Sequence, residues 1–394
     1  MLPTSSFARA RFAGALAVFS ALLLALSAAL LPSLAAAQNP PAPVLNAKAW
    51  LLLDMASGQV LASQGPGERV EPASLTKLMT AYLTFAALKS KAITLEQTVP
   101  VSPLAWKAIG SRMFIEPKKP VTVAEAMRGM IVQSGNDASI ALAELIAGSE
   151  DQFAAMMNRE AQRLGMKGTS FKNSTGLPDP QHYTTVEDLA KLAGAIIRDY
   201  PEFYTLYSIK EYTYNNITQP NRNRLLWLDP NVDGMKTGHT DSAGFCLIAS
   251  AKRGPRRLLS VVVGTQSEAA RSTESQKLLN YGFLGYDAVR MYEKGQSISS
   301  LEVWKGEARE LKAGFDRELF VSVPKGQAEK LKATLNTQKP LLAPIAQGQK
   351  IGTMKVTLDG REIAEVPVVA LEKVDAAGIF GRALDTMRLW FAKK

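Results

Sequence analysis

Glu71-Pro72-Ala73-Ser74-Leu75-Thr76-Lys77-Leu78-Met79-Thr80 is the stretch on which the reading of this chain turns. Pro72 can open a helix, and the apolar residues that follow (Leu75, Leu78, Met79, Tyr82, Leu83, Ala86, Ala87) recur at helical spacing, predicting one buried face. Ser74 then falls in the first turn, where unpaired backbone N–H groups and the helix dipole favour developing negative charge. Lys77 is three residues on, and side chains at that spacing share a helix face. A serine hydroxyl is a weak nucleophile until a nearby base takes its proton. A lysine amine whose pKa is lowered by burial or by cationic neighbours can be that base. Taken alone, the pair also fits a capping serine beside a solvated lysine.

Two later segments decide between those readings. Ser134-Gly135-Asn136 lies on a turn between helices, and Lys236-Thr237-Gly238 on a strand. With Ser74-x-x-Lys77 they form the triple found in penicillin-binding proteins and class A β-lactamases, Gly135 standing where Asp is usual. Ser134 can relay a proton between Lys77 and a leaving amine. Asn136 can hold a substrate amide, or simply form the turn. Lys236 adds positive potential that depresses the pKa of Lys77, Thr237 offers a hydroxyl to a substrate carboxylate, and Gly238 lets a substrate backbone lie against the strand. Singly each is weak. In this order, each on its expected element, they are specific.

From Ala47 to the C-terminus the sequence resembles the serine D-alanyl-D-alanine carboxypeptidases of the low-molecular-mass penicillin-binding proteins. Beyond the triple, Asn221-Arg222-Asn223, Asn231-Val232-Asp233-Gly234, His239-Thr240 after the Lys-Thr-Gly strand, and Asn280-Tyr281-Gly282-Phe283 carry the likeness. The resemblance implies acylation of Ser74 by the penultimate D-alanine of a peptidoglycan stem peptide, loss of the terminal D-alanine, then hydrolysis. It implies β-lactams as covalent inhibitors and an oxyanion hole from the backbone N–H groups of Ser74 and His239, donors typically worth ~3–4 kcal/mol in the transition state. It also implies that Arg222 and Arg271 shape the carboxylate end, although a structural ion pair would explain Arg222 equally well.

Working outward, Ala49–Asp54 and Val60–Ala62 read as strands around a Ser57-Gly58 turn, and Thr122–Glu125 as a capping box opening a helix through Ile131. Asp137 opens another helix, and 152–164 and 186–197 are amphipathic. Asn173–Tyr183, rich in Gly and Pro, reads as a surface loop. Ala243–Ala249 and Leu258–Val263 form a hairpin within a sheet. The expected fold is a penicillin-binding-protein/β-lactamase-like α/β domain, an antiparallel sheet flanked by helices with a helical subdomain, over residues 38–284. A small β-rich domain follows over 288–373, then an amphipathic helix over 375–394. On that helix Ile379, Phe380, Ala383, Leu384, Met387, Trp390 and Phe391 share a face, with Arg382, Asp385, Lys393 and Lys394 elsewhere. Such a helix suits a membrane surface, or docking on its own protein or a partner.

At the other end, Arg9 and Arg11 precede an uncharged apolar run and Ala35-Ala36-Ala37, reading as a signal peptide over 1–37, or as an uncleaved anchor. Export predicts a periplasmic protein attached peripherally to the outer face of the inner membrane. The lone Cys246 permits no intrachain disulfide and reads as core filler. Net charge is +10, or +8 once Arg9 and Arg11 are removed (44 − 36), which suits anionic lipid or carboxylate-ending substrates. No basic, aromatic-interleaved stretch points to nucleic acid. With only His182 and His239, a serine–histidine triad and a zinc site are both poor readings, so no metal or cofactor is expected. Competing functions are a D,D-endopeptidase on cross-links, a class A-like β-lactamase (which would need a loop glutamate absent from 173–183), and a non-catalytic envelope protein.

Overall fold

The computed structural model describes residues 40–392. The expected signal segment, Lys393 and Lys394 lie outside the described residues. Strands β1 (Ala49–Asp54) and β2 (Val60–Gln64) are followed by a 3-10 turn, Ala73–Thr76, and helix α1, Lys77–Lys89. Helices α2 (Val123–Val132), α3 (Asn136–Ala147), α4 (Glu150–Arg163) and α5 (Val186–Asp199) come next. Strands β3 (Val232–Thr240), β4 (Gly244–Arg253) and β5 (Arg256–Thr265), then helix α6 (Glu268–Gly285), complete the first part of the chain.

These five strands form one antiparallel sheet in the order β2-β1-β5-β4-β3. Their apolar runs are nearly continuous because both faces are covered. Ala49, Leu51, Cys246, Ile248, Leu259, Val261 and Val263 face the helical subdomain. Trp50, Leu52, Leu247, Ala249, Leu258 and Val262 face Leu278 and Leu279 of α6 and Leu225 and Leu226 of a short helix, Leu225–Leu228. Alternation along each strand sends successive side chains to opposite cores. Cys246 is fully buried in the first, as expected of a core filler. Leu45, in the Pro- and Ala-rich segment that precedes β1, packs into the second core.

Three expectations need correction. Ser74 lies not in the first turn of the α-helix but in the 3-10 turn before it, with Ala73 at φ +45°. Helix α1 is buried on all sides, not one, because it runs between the sheet and the surrounding helices. Its threonines are satisfied inside, Thr80 donating to Ser174 O at 2.7 Å and Thr84 to Thr80 O at 2.8 Å. The segment from Asn173 is a surface loop only in part, with Pro178, Pro180 and Gln181 exposed. Ser174, Thr175 and His182 are buried, because the segment packs against the turn and α1.

The expected capping box is present, Thr122 and Glu125 each satisfying the other's backbone N–H at the start of α2. Helix α6 runs directly into β6 (Tyr286–Tyr292), and the rest is β-rich with its own core around Leu311, Val321, Val356 and Val368. The strands are β7 (Ser297–Trp304), β8 (Glu310–Gly314), β9 (Leu319–Pro324), β10 (Leu331–Thr337), β11 (Lys350–Leu358) and β12 (Arg361–Ala370). They assemble as β6-β9 and as β10-β11-β12-β8-β7, the latter edged by a two-residue strand, Leu341–Leu342. Helix α7, Ile379–Ala392, ends the described chain. None of the described helices is long and apolar enough to cross a membrane.

Candidate active site

The 3-10 turn, the α2–α3 turn, β3 at the edge of the sheet and the 173–182 segment meet around a cleft of about 350 Å³. Ser74, Ser134, Asn136, Arg222, Thr237, Gly238, His239 and Arg271 line it. Lys77 and Lys236 lie buried in its wall, each about 3 Å from a lining serine. All ten residues singled out from the sequence therefore belong to one place. A larger hollow of about 1190 Å³ lies where the β-rich part meets the sheet, but its lining of mixed surface charges includes none of these groups.

Lys77 Nζ makes three contacts: Thr175 O at 2.6 Å, Asn136 Oδ1 at 2.7 Å and Ser74 Oγ at 3.0 Å. The first two partners are pure acceptors. A neutral amine would spend its two N–H bonds on them, leaving its lone pair for the Ser74 O–H. Burial lowers the pKa of Lys77 to about 7, with Arg222 as the second cause, so the neutral form is accessible. Arg222 thus adds to the positive field around the amine. Lys236 is itself pushed well down, by burial first and then by Lys77 and the two arginines.

Ser134, at φ +64°, accepts a hydrogen bond from Lys236 Nζ at 2.9 Å, while Lys236 also donates to Thr237 O at 3.0 Å. Its hydroxyl is therefore tied to the strand lysine rather than to Lys77. Asn136 Nδ2 donates to Ile109 O at 2.6 Å, which fixes the amide with its oxygen toward Lys77. That leaves one N–H free for a substrate. Gly238 is explained differently from the expectation: a Cβ there would come within 3.1–3.3 Å of Pro72 O, Leu75 and Ala73. The bare strand makes room for the serine turn.

Arg271 is buried and donates to Glu268 Oε1 at 3.1 Å and Arg222 O at 3.2 Å. Its Nε has no partner. No carboxylate pairs with Arg222 among the described residues, so the ion-pair explanation is not met, and its side chain stands exposed at the cleft. His239 is exposed and stacks on Phe245, centroids 4.0 Å apart.

Several supporting residues went unrecognised in the sequence. Asp137 accepts the backbone N–H groups of Met113, Phe114 and Ile115 at 2.8–3.2 Å, holding that segment, with Phe114 at φ +69°, over the Ser134 turn. Asn173 Oδ1 caps the N–H groups of Thr175 and Gly176, and Gly176 sits so close that a Cβ would lie 1.8 Å from Ala73 O. His182 Nδ1 accepts from Lys172 N–H at 3.3 Å, which places the ring proton on Nε2, 2.9 Å from Thr76 Oγ1. The self-capping Asn-x-Thr-Gly and the Asp after Asn136 were the signals available.

A family profile described as D-alanyl-D-alanine carboxypeptidase, peptidase S11, matches residues 35–267. The chain belongs to this family. A second profile, the C-terminal domain of penicillin-binding protein 5, matches residues 286–376. This S11 carboxypeptidase is similar to D-alanyl-D-alanine carboxypeptidase DacC of Escherichia coli K12, 42% identical over 366 residues and covering 91% of each chain. It is similar in structure to penicillin-binding protein 5 of Haemophilus influenzae, with a TM-score of 0.81 and 41% identity over 85% of this chain and 99% of that one. The ampicillin-bound penicillin-binding protein D2 of Listeria monocytogenes matches at a TM-score of 0.57 and 29% identity, over 62% of this chain and 100% of that one. The S11 chain is a serine-type D-alanyl-D-alanine carboxypeptidase with the penicillin-binding-protein fold, a hydrolase of cell-wall metabolism.

Proposed function

We propose that Ser74 Oγ attacks the carbonyl of the penultimate D-alanine of a peptidoglycan stem peptide, with neutral Lys77 taking its proton. The observation that carries this is the Lys77 amine, held by two fixed acceptors with its third contact on Ser74. Lys236, through Ser134, delivers a proton to the departing D-alanine nitrogen, and water then hydrolyses the ester. Thr237, Arg271 and Arg222 receive the terminal carboxylate, Asn136 the acyl amide, and the Ser74 and His239 backbone N–H groups the oxyanion. Preorganised donors matter most because they cost no reorganisation as charge develops.

β-Lactams enter the same cleft as covalent inhibitors. Glu268 is the one carboxylate among the described residues lining it, and it is engaged by Arg271 at the far end. That arrangement favours a persistent acyl-enzyme over a β-lactamase, whose loop glutamate activates water. Residues 1–37 act as an export signal, and α7 lies on the outer face of the inner membrane. Its apolar Ile379, Phe380, Leu384, Met387 and Phe391 are exposed, while Asp385 ties the polar side to Lys305 N–H at 2.7 Å.

Fluorescent penicillin labelling of the wild type and Ser74→Ala, followed by D-alanine release from a pentapeptide, tests the reading. An unlabelled wild type, or a labelled Ser74→Ala, overturns it.

A further inference from the structure

Trp106 ends a short helix, Pro103–Trp106, which Ser102 caps and ties to α3 through Glu144 Oε1 at 3.0 Å. The tryptophan is 45% exposed, and beside it opens a pocket of about 450 Å³ lined also by Arg112, Phe114, Glu116 and Lys118. The frame of this pocket is fixed. Asp137 holds the N–H groups of Met113, Phe114 and Ile115, and Gln219 Nε2 donates to Arg112 O at 3.1 Å. Glu116 Oε1 accepts from Lys119 and from Asn215, each at 2.9 Å. Phe114 keeps φ +69° there, a backbone state that bulky side chains avoid. A half-exposed indole on a held, strained segment adds little to the core and marks a binding surface.

One stretch of backbone joins this pocket to the cleft. Gly110 and Ser111, which precede Arg112, line the cleft itself. Asn136 grips both ends of that stretch, its Nδ2 on Ile109 O at 2.6 Å and its backbone N–H on Ser111 O at 2.7 Å. With the terminal carboxylate at Thr237 and Arg271 and the acyl amide on Asn136, a bound stem peptide leaves the cleft on the Asn136 side. The sugar strand from which the stem hangs lies beyond. We infer that the pocket beside Trp106 binds an amino-sugar ring of that strand, so that the enzyme prefers stems still attached to sugar. The inference rests on the direction that the Ser74 mechanism gives the stem. A sugar ring has a flat C–H face, which packs on an indole, and polar edges, which need both donors and an acceptor. Arg112 and Lys118 supply the donors and Glu116 the acceptor, its carboxylate already fixed by Lys119 and Asn215. An apolar or an acidic side chain would use only one part of this lining.

The test measures D-alanine release by the purified full chain from a soluble pentapeptide and from the same pentapeptide carrying its disaccharide. The wild type is expected to show a kcat/KM about fivefold higher on the sugar-bearing substrate, mostly through KM. Trp106→Ala should abolish that preference and leave the sugar-free rate within about twofold, while Trp106→Phe, which keeps an aromatic face, should retain most of it. The sugar-free rate also reports that each variant is folded. A wild type that treats the two substrates alike overturns the inference alone. So does a Trp106→Ala enzyme that keeps the preference, or one that loses both rates in parallel, since either outcome separates Trp106 from the sugar. A wild type inactive on both substrates overturns the Ser74 mechanism and this inference with it.

Discussion

An amine acts as a base only in the fraction of molecules where it carries no proton, and for Lys77 that fraction is set by burial and by Arg222. With the pKa lowered to about 7, acylation by a penicillin should rise with pH and reach half its plateau near neutrality, as stopped-flow rates across about pH 5.5–9 would show. The sign of the Arg222 effect follows. Removing a nearby positive charge makes protonation easier, so Arg222→Gln should move the rising limb to higher pH. An unmoved limb would assign the lowering to burial alone. Lys77→Ala should fold and acylate at least about a hundredfold more slowly, the scale of one general base. These residues were legible in the sequence because each motif carries its chemistry in side chains at fixed spacings. That burial and Arg222 tune Lys77 was not, since Arg222 is remote in sequence and only the fold brings it near.

The 173–182 segment shows what an element contributes that its composition conceals. Gly, Pro and Asn mark a turn-rich stretch, and nothing in that signal says whether the turns face solvent or Ser74. Here Thr175 O holds Lys77, Gly176 lies against Ala73 O, and His182 grips Thr76. Gly176→Ala should therefore displace the serine turn. Loss of penicillin labelling in a chain that still melts cooperatively is the expected result, because φ +84° and the 1.8 Å approach both forbid a side chain.

His182 makes a separate, thermodynamic prediction. Burial lowers its pKa to about 4 from 6.5, so below pH 6.5 the unfolded chain takes up a proton that the folded chain refuses. Stability should then fall as pH drops from 6.5 to 4 and level off below that, by up to about 3 kcal/mol. Chemical denaturation across that window, compared with His182→Gln, reads the contribution. The Gln variant should lose the slope attributable to this ring while keeping a donor toward Thr76.

At the scale of the whole molecule, the sheet and helices carry the chemistry while the β-rich part closes its own core around Leu311, Val321 and Val356. The two meet through a few polar ties, Ser322 Oγ on Asp54 Oδ2 at 2.9 Å and Ser322 N–H on Gln59 Oε1 at 2.6 Å, rather than through the cleft. Helix α7 is tethered to that β-rich part by Asp385 on Lys305 N–H and by Ala377 N–H on Lys305 O at 2.8 Å. The side it turns away holds Phe380 at 88% and Ile379 at 75% exposure, which no water-facing helix gains from. Each large apolar side chain moved from water into a lipid interface contributes about 1.5–3 kcal/mol, so a few suffice for stable attachment without crossing the bilayer. Because the helix touches neither Ser74 nor Lys77, removing residues from 376 onward should abolish binding to anionic vesicles and leave D-alanine release from a soluble pentapeptide at the wild-type rate. Sedimentation with vesicles measures the first and an amino-acid release assay the second. Phe380→Glu with Leu384→Glu should reproduce the loss in the full-length chain, since the charges sit on the face proposed to enter lipid. A truncated chain that still pellets with vesicles would move the attachment to another surface, and one that loses activity would mean the helix supports the cleft through the β-rich part.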